Sequence, residues 1–126
     1  MLEPHITRIE AAIHGSALIA TYSLNAVEHS PNTGYVEGEI IFTDGSRLVY
    51  FEFLRRTQGE LDREKYRFHF MEPGNQLIFR YDNAPHHPQI RTFPHHKHLP
   101  TGVIESPSPR FEDVIQEIEA YVLGIP

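Results

Sequence analysis

The chain has 126 residues, of which 40% are hydrophobic, and a formal net charge of -6 at pH 7. This length predicts a single domain, residues 1–126, whose core is large enough to fold without disulfides or a structural metal. The absence of cysteine excludes disulfides, zinc–thiolate sites and cysteine nucleophiles. No apolar run is long enough to span a membrane and no signal peptide is evident, so we expect a cytoplasmic protein.

The basic charge is concentrated in the middle of the chain. Residues 1–46 carry one Lys or Arg against six Asp or Glu, residues 47–98 carry nine against six, and residues 99–126 carry one against five. The net acidity argues against a general nucleic-acid-binding surface. The basic central segment, however, also holds six of the nine histidines, which indicates a local site for an anion.

Residues 4–82 are predicted to form one helix followed by five strands. Residues 4–14 repeat isoleucine at helical spacing and end before Gly15. Turn signals such as Asp44-Gly45 separate the β-prone stretches that follow. Those stretches cover residues 17–28, 35–43, 47–55, 63–70 and 77–82. Short turns between successive strands predict an antiparallel meander.

The last two of these strands alternate apolar and polar residues. A register that places Phe68 opposite Phe79 gives one face lined with aromatic rings. In the same register Arg67 lies opposite Arg80 on the other face, and two like charges there would need a carboxylate or a bound anion between them, or else a different register. The polar face would carry Lys65, Arg67, His69, Arg80 and Asp82.

Residues 83–109 contain six prolines and no periodic element. Proline is excluded from helix interiors and central strands, so we expect a long His/Pro-rich loop. A second helix follows, with Ser108 as its cap and Pro109 in its first turn. The predicted fold class is α+β: a five-stranded antiparallel β-meander flanked by an N-terminal and a C-terminal helix packed on one face, with the long loop.

The stretch RYDNAPHHPQIRTFPHHKH, residues 80–98, holds five histidines. Three imidazoles and a water would make a zinc site, or would suit nickel or copper. Lys97 lies within the cluster, and its charge would repel a cation, so we predict no metal ligand and no cofactor. A stiff loop of purely architectural function is a further alternative.

Proton transfer is the third chemistry that this composition allows. One imidazole can take the proton of a ribose 2′-hydroxyl, a second can protonate the leaving 5′-oxygen, and a cation can stabilise the negative charge of the pentacovalent, phosphorane-like transition state. Tyr81 and Phe93 could stack on bases. The residues that supply these groups are predicted to be His69, His86, His87, His95, His96 and Lys97, with Arg67 and Arg80 as further cations.

Four segments of the chain carry a resemblance to a known family. They are FTDGSRL (42–48), KYRFHF (65–70), LIFRYDNAPHHP (77–88) and TFPHHKHLP (92–100). In them the chain resembles the TumE-like family of bacterial toxin–antitoxin proteins. The resemblance implies the toxin component of a two-gene system, neutralised by an antitoxin that usually carries a helix-turn-helix DNA-binding domain. Carried over onto these segments, the resemblance singles out Arg67, His69, Arg80, Asp82, Asn83, His86, His87, His95, His96, Lys97 and His98.

These observations lead to one hypothesis and two alternatives. The chain is expected to be a toxin that acts on RNA by metal-independent acid–base cleavage, hence a ribonuclease. A non-catalytic binding or regulatory module that uses the His/Pro loop is one alternative, and a His-ligated metal-dependent enzyme is the other. The expected partners are a cognate antitoxin, RNA and a second copy in a homodimer, with no membrane. The predicted substrate-binding residues are Lys65, Arg67, Arg80, Asp82, Asn83 and His98.

Overall fold

The computed structural model describes residues 1–126 as a seven-stranded antiparallel sheet with a helix before it and a helix after it. Each strand pairs with the next one along the chain, so the sheet is a simple meander. Neither helix is long and apolar enough to cross a lipid bilayer. The elements are α1 (Glu3–His14), β1 (Ile19–Ser30), β2 (Thr33–Phe42), β3 (Arg47–Thr57), β4 (Glu60–Met71), β5 (Leu77–Asp82), β6 (His96–Leu99), β7 (Gly102–Glu105) and α2 (Phe111–Val122).

The predicted α+β class is confirmed, but the predicted strand number is wrong. Two further strands, β6 and β7, form within the segment that was expected to be a long loop. The prolines of this segment flank the new strands, with Pro94 before β6, Pro100 between the two strands and Pro107 after β7. Proline excludes a strand only where its own missing N–H is needed, so four-residue strands fit between them. The irregular stretch after β5 is therefore residues 83–95.

The predicted register between β4 and β5 is also wrong. Phe70 lies opposite Phe79, Phe68 lies opposite Tyr81, and the pairing shifts at Met71 and Leu77, which leaves Ile78 without a partner. The bulge offsets the pairing by one residue. The observed register beyond it differs from the predicted one by two residues along β4, and an even-numbered difference keeps the aromatic rings on one face. The two arginines are consequently not opposite each other.

One face of the sheet carries the core. Tyr50 of β3 stacks on Phe68 of β4 at a ring-centroid distance of 5.3 Å, and Phe111 of α2 meets the edge of Tyr50 at 5.1 Å. Ile9 and Ile13 of α1 belong to the same buried cluster. Both helices therefore cover one face of the sheet, as the sequence predicts, and the opposite surface, called the outer face below, carries no helix.

The second helix begins slightly later than the sequence suggests. Its first helical residue is Phe111, and Arg110 occupies the cap position. The backbone N–H of Arg110 donates to the carboxylate of Asp113 at 3.0 Å. Ser108, the predicted cap, lies before the helix and instead accepts a bond from Nη2 of Arg63 at 2.6 Å.

A buried carboxylate joins α1 to the sheet. Glu52 of β3 is 2% exposed and accepts hydrogen bonds from Nε2 of His5 (2.7 Å), from Nη1 of Arg63 (3.1 Å) and from the hydroxyl of Tyr50. Burial raises the pKa of Glu52, but the bonds from His5 and Tyr50 and the charge of Arg63 outweigh it and hold this pKa below its usual value. Nothing in the sequence pattern predicts this contact.

Glu52→Gln is expected to destabilise the protein at pH 6 by about 3 kcal/mol, because it removes one partner of a buried ionic cluster. A carboxyl whose pKa is lower in the folded state contributes stability above its unfolded pKa, and that contribution is lost as the pH falls through the folded pKa. The wild type should therefore lose stability more steeply than the variant does as the pH falls below 4.5, the usual pKa of a glutamate. Urea unfolding at several pH values measures both effects.

Glu60→Gln is the matched control, since Glu60 is exposed at the start of β4. It should change the free energy of unfolding by less than about 0.5 kcal/mol. Equal stabilities of the Glu52 variant and the wild type at pH 6 would show that the cluster does not hold α1 on the sheet.

Candidate functional site

The outer face of β4, β5 and β6 presents two rows of polar side chains. Partners in an antiparallel pair point to the same side of the sheet, so the observed register alone defines the rows. One row runs Arg67, Asp82, His96, and the next runs His69, Arg80, His98. The polar face predicted for β4 and β5 is thus confirmed, and β6 extends it with two histidines.

Asp82 is the centre of this array. It is 5% exposed although no helix covers its side of the sheet. Its Oδ2 accepts from Nε of Arg80 at 2.9 Å, and its Oδ1 accepts from the backbone N–H of Ala84 at 3.0 Å. The Nε2 atoms of His96 and His98 lie 2.9 and 3.4 Å from its two oxygens. One carboxylate therefore holds β5, β6 and the start of the following loop together.

His96 is buried, and its two ring nitrogens have different surroundings. Its Nδ1 lies 2.8 Å from the carbonyl oxygen of Pro94, and a carbonyl only accepts, so Nδ1 carries a hydrogen. Its Nε2 faces both an oxygen of Asp82 (2.9 Å) and Nε2 of His98 (3.0 Å). In the neutral ring Nε2 would be a lone pair directed at a carboxylate oxygen. A proton or another cation at this point satisfies both atoms.

His87 completes the group from the loop. Its ring centroid lies 4.9 Å from that of His96 and 5.6 Å from that of His98, both edge to face. One nitrogen of each of these three rings lies within 4.8 Å of the others. We call Arg80, Asp82, His87, His96 and His98 the outer-face cluster. It lines an open cavity of about 390 Å³, and the exposed His86 lies at its rim.

Electrostatics keep two of the imidazoles neutral near pH 7. Burial lowers the pKa of His98, and the opposing charge of Asp82 does not cancel this effect. Burial also lowers the pKa of His69, helped by the charges of Arg80 and Arg67. Burial raises the pKa of Asp82, but its bonds from Arg80 and Ala84 and the neighbouring His96 bring the pKa below its usual value, so this carboxyl is ionised.

Two of the predicted catalytic residues lie on the other side of the sheet. Side chains alternate along β6, so Lys97 points to the helix-covered face, where Nζ contacts Glu117 of α2 at 2.6 Å. His95 also lies on that face, with Nδ1 2.9 Å from the Tyr66 hydroxyl. The structure does not bring Lys97 and His95 together with the outer-face cluster, and the repulsion of cations expected from Lys97 does not apply there.

The remaining predicted residues have separate positions. Asn83 bridges β4 and β5, accepting from the Tyr66 backbone N–H (3.1 Å) and donating to the Glu64 carbonyl (2.9 Å). Lys65 is exposed, and the Arg67 guanidinium lies over the Phe51 ring at 5.5 Å. Tyr81, a predicted base-stacking residue, points to the helix-covered face and donates to Glu117, whereas Phe93 is 43% exposed.

Sequence reasoning missed the strand that organises the site. HKHL alternates two imidazoles with a lysine and a leucine and is bounded by prolines, a pattern typical of a short strand. The six prolines around it obscure this signal, because a high proline content is typical of irregular structure. With β6 recognised, alternation would have separated His96 and His98 from Lys97.

Comparison with known proteins identifies the family of the chain. The family model described as Toxin TumE matches residues 8–123. No curated protein and no solved structure matches the chain. The chain belongs to the TumE toxin family. It is accordingly a toxin of a toxin–antitoxin system, which implies an antitoxin partner.

Asp82→Ala should cost about 3 kcal/mol of stability, because it leaves Arg80 and the buried His96 without their charged partner. The Ala84 amide loses its acceptor, so its hydrogen exchange should become faster than in the wild type. Urea unfolding and amide exchange by NMR measure the two effects. Asp62→Ala, at an exposed position in β4, is the control and should leave both quantities near the wild-type values. An Asp82 variant as stable as that control would contradict the central role of this carboxylate.

Proposed function

We propose that this toxin cleaves RNA at the outer-face cluster by proton transfer between imidazoles, without a metal ion. The observation that carries the proposal is the convergence of His87 and His98 on one open cavity, beside a buried carboxylate and an arginine. Acid–base cleavage of a phosphodiester needs two proton carriers and a positive charge near phosphorus. On the outer face, His87 and His98 can serve as the two proton carriers, and Arg80 can provide the positive charge.

In the proposed reaction His98 acts as the general base. It is neutral near pH 7 and partly exposed, with 28% of its side chain accessible. It takes the proton of the ribose 2′-hydroxyl, whose oxygen attacks phosphorus, while His87 protonates the departing 5′-oxygen. The bond from phosphorus to the 5′-oxygen breaks, and a 2′,3′-cyclic phosphate and a free 5′-hydroxyl remain.

The neighbouring residues have supporting functions in this proposal. Arg80 lies beside the cavity with 34% of its side chain exposed, so its guanidinium can face a phosphate while Nε stays bonded to Asp82. His96 is too buried to reach RNA and positions His98 instead. Arg67 and His69 extend the polar surface along the bound strand. Lys97 and His95 contact α2 and Tyr66, so they are outside the proposed reaction.

Purified wild-type protein is expected to cleave a labelled RNA oligonucleotide in the presence of EDTA. A matched oligonucleotide with a 2′-deoxy sugar at the cleavage position should stay intact, because it has no attacking hydroxyl. His98→Ala and His87→Ala should each lower the cleavage rate by about 10²–10⁴-fold, the usual contribution of one acid or base. Gel analysis of time courses gives the rates.

His29→Ala is the matched control, since His29 is an exposed histidine on β1. It should cleave at the wild-type rate. RNA that stays intact with the wild-type protein would overturn the proposal, as would equal rates for His29→Ala and His98→Ala. Toxicity on expression without any RNA cleavage would instead favour a non-catalytic binding module.

We also propose that the antitoxin carries a helix-turn-helix domain and neutralises the toxin by covering the outer face. The family implies an antitoxin, and the outer face is the side of the sheet that has no helix. Co-expression with the adjacent gene should restore growth and give a stable complex on gel filtration. In that complex the outer-face residues His98 and Arg80 should be protected from hydroxyl-radical labelling. Unchanged labelling of these residues would place the antitoxin on another surface.

The predicted homodimer is tested by gel filtration of the chain without the antitoxin, which gives its mass in solution.

A further inference from the structure

The donor atoms of the outer-face cluster have the spacing of metal ligands. Zinc–nitrogen bonds of about 2.0–2.1 Å place neighbouring ligand atoms of a tetrahedral site about 3.3 Å apart. The Nε2 atoms of His96 and His98 are 3.0 Å apart, and they lie 2.9 and 3.4 Å from the oxygens of Asp82. The third imidazole, His87, lies within 4.8 Å and belongs to a partly exposed loop, where side-chain rotation can close the remaining distance.

The hydrogen bond of His96 is of the kind that orients a metal ligand. Histidines that bind metals usually donate their other ring N–H to a carbonyl or carboxylate, which directs the free lone pair at the ion. Nδ1 of His96 makes such a bond to the Pro94 carbonyl. Its Nε2 then points at a carboxylate oxygen and at a second imidazole nitrogen, an arrangement that needs a cation among the three atoms.

The charges around the cluster permit a cation. Lys97, which the sequence places among the histidines, is on the opposite face and bonded to Glu117. Arg80 belongs to the cluster, but its Nε is bonded to Asp82, so the two charges offset each other. Binding would therefore depend on the imidazoles. Imidazole ligands suit zinc, nickel and copper, whereas magnesium and calcium prefer oxygen.

We propose that His87, His96 and His98, with Asp82, form a binding site for one divalent transition-metal ion, for which zinc is the best fit. The inference extends the proposed function, because it uses the same cluster. An imidazole nitrogen that binds a metal ion has no lone pair left for a proton. Zinc and the proposed proton transfer are thus mutually exclusive, and zinc would inhibit the toxin.

The experiment uses the 126-residue chain without an affinity tag, freed of metal by chelator and then dialysed. Titration with ZnCl₂ in a calorimeter should show one ion per chain, and MgCl₂ should give no heat of binding. CoCl₂ should produce visible absorption bands of a site with imidazole ligands.

His87→Ala is the main variant, because its loop position is partly exposed and the sheet should fold without it. It should weaken zinc binding at least about tenfold, as should His98→Ala.

His29→Ala and His14→Ala are the controls, since both residues are exposed and far along the chain from the cluster. Both should bind zinc as the wild type does. Binding of more than one weak equivalent, or equal affinity in His87→Ala, His98→Ala and the controls, would overturn the site. These titrations contain no RNA, so they test the site even if the proposed RNA cleavage fails.

Where cleavage is observed, one equivalent of zinc should abolish it, and faster cleavage with zinc bound would overturn the mutual exclusion.

Discussion

The outer face of this protein depends on one buried carboxylate. Asp82 ends β5 and is 5% exposed on the side of the sheet that has no helix. An ionised carboxylate in such a place requires nearly complete hydrogen bonding. Arg80, the Ala84 backbone N–H and His96 provide it, and each comes from a different part of the local structure. The bonds that satisfy this charge also bring β6 beside β5 and direct the loop over the sheet.

The partners of Asp82 also decide what chemistry the site can perform. An imidazole held against a carboxylate by a backbone carbonyl has one free nitrogen, and that nitrogen must share a cation with its neighbours. A proton at this point lets His96 position His98 for acid–base chemistry, and a transition-metal ion suits coordination by three imidazoles. Both possibilities follow from the same set of distances. The catalytic and the metal-binding proposals therefore concern the same group of side chains, which holds a proton in the first case and a metal ion in the second.

The opposite face shows how the same four-residue strand serves the core. Lys97 lies over the rings of Phe79 and Tyr81 at 5.0 and 4.8 Å and bonds to Glu117, which ties α2 to β6. His96 and His98, its neighbours in the chain, point the other way. Because side chains alternate along β6, Lys97 makes a structural contact on the helix-covered face, and His96 and His98 contribute to the candidate site on the outer face. The buried Glu52, bonded to His5 and Arg63, has the corresponding structural function for α1.

The sequence by itself determined the α+β class, both helices, the five strands up to Asp82 and the polar face of β4 and β5. These features follow from local periodicity, which one stretch of chain is sufficient to show. The four segments that resemble the TumE-like family also indicated the toxin family from the sequence alone. Tertiary structure alone decided the register of β5, the pairing of β6 and the separation of Lys97 from His96 and His98. A bulge at Ile78 and a strand between two prolines depend on partners distant in the chain, and proline content argued against the strand. The candidate site consequently changed from a loop rich in positive charge to a compact group of imidazoles around a buried carboxylate.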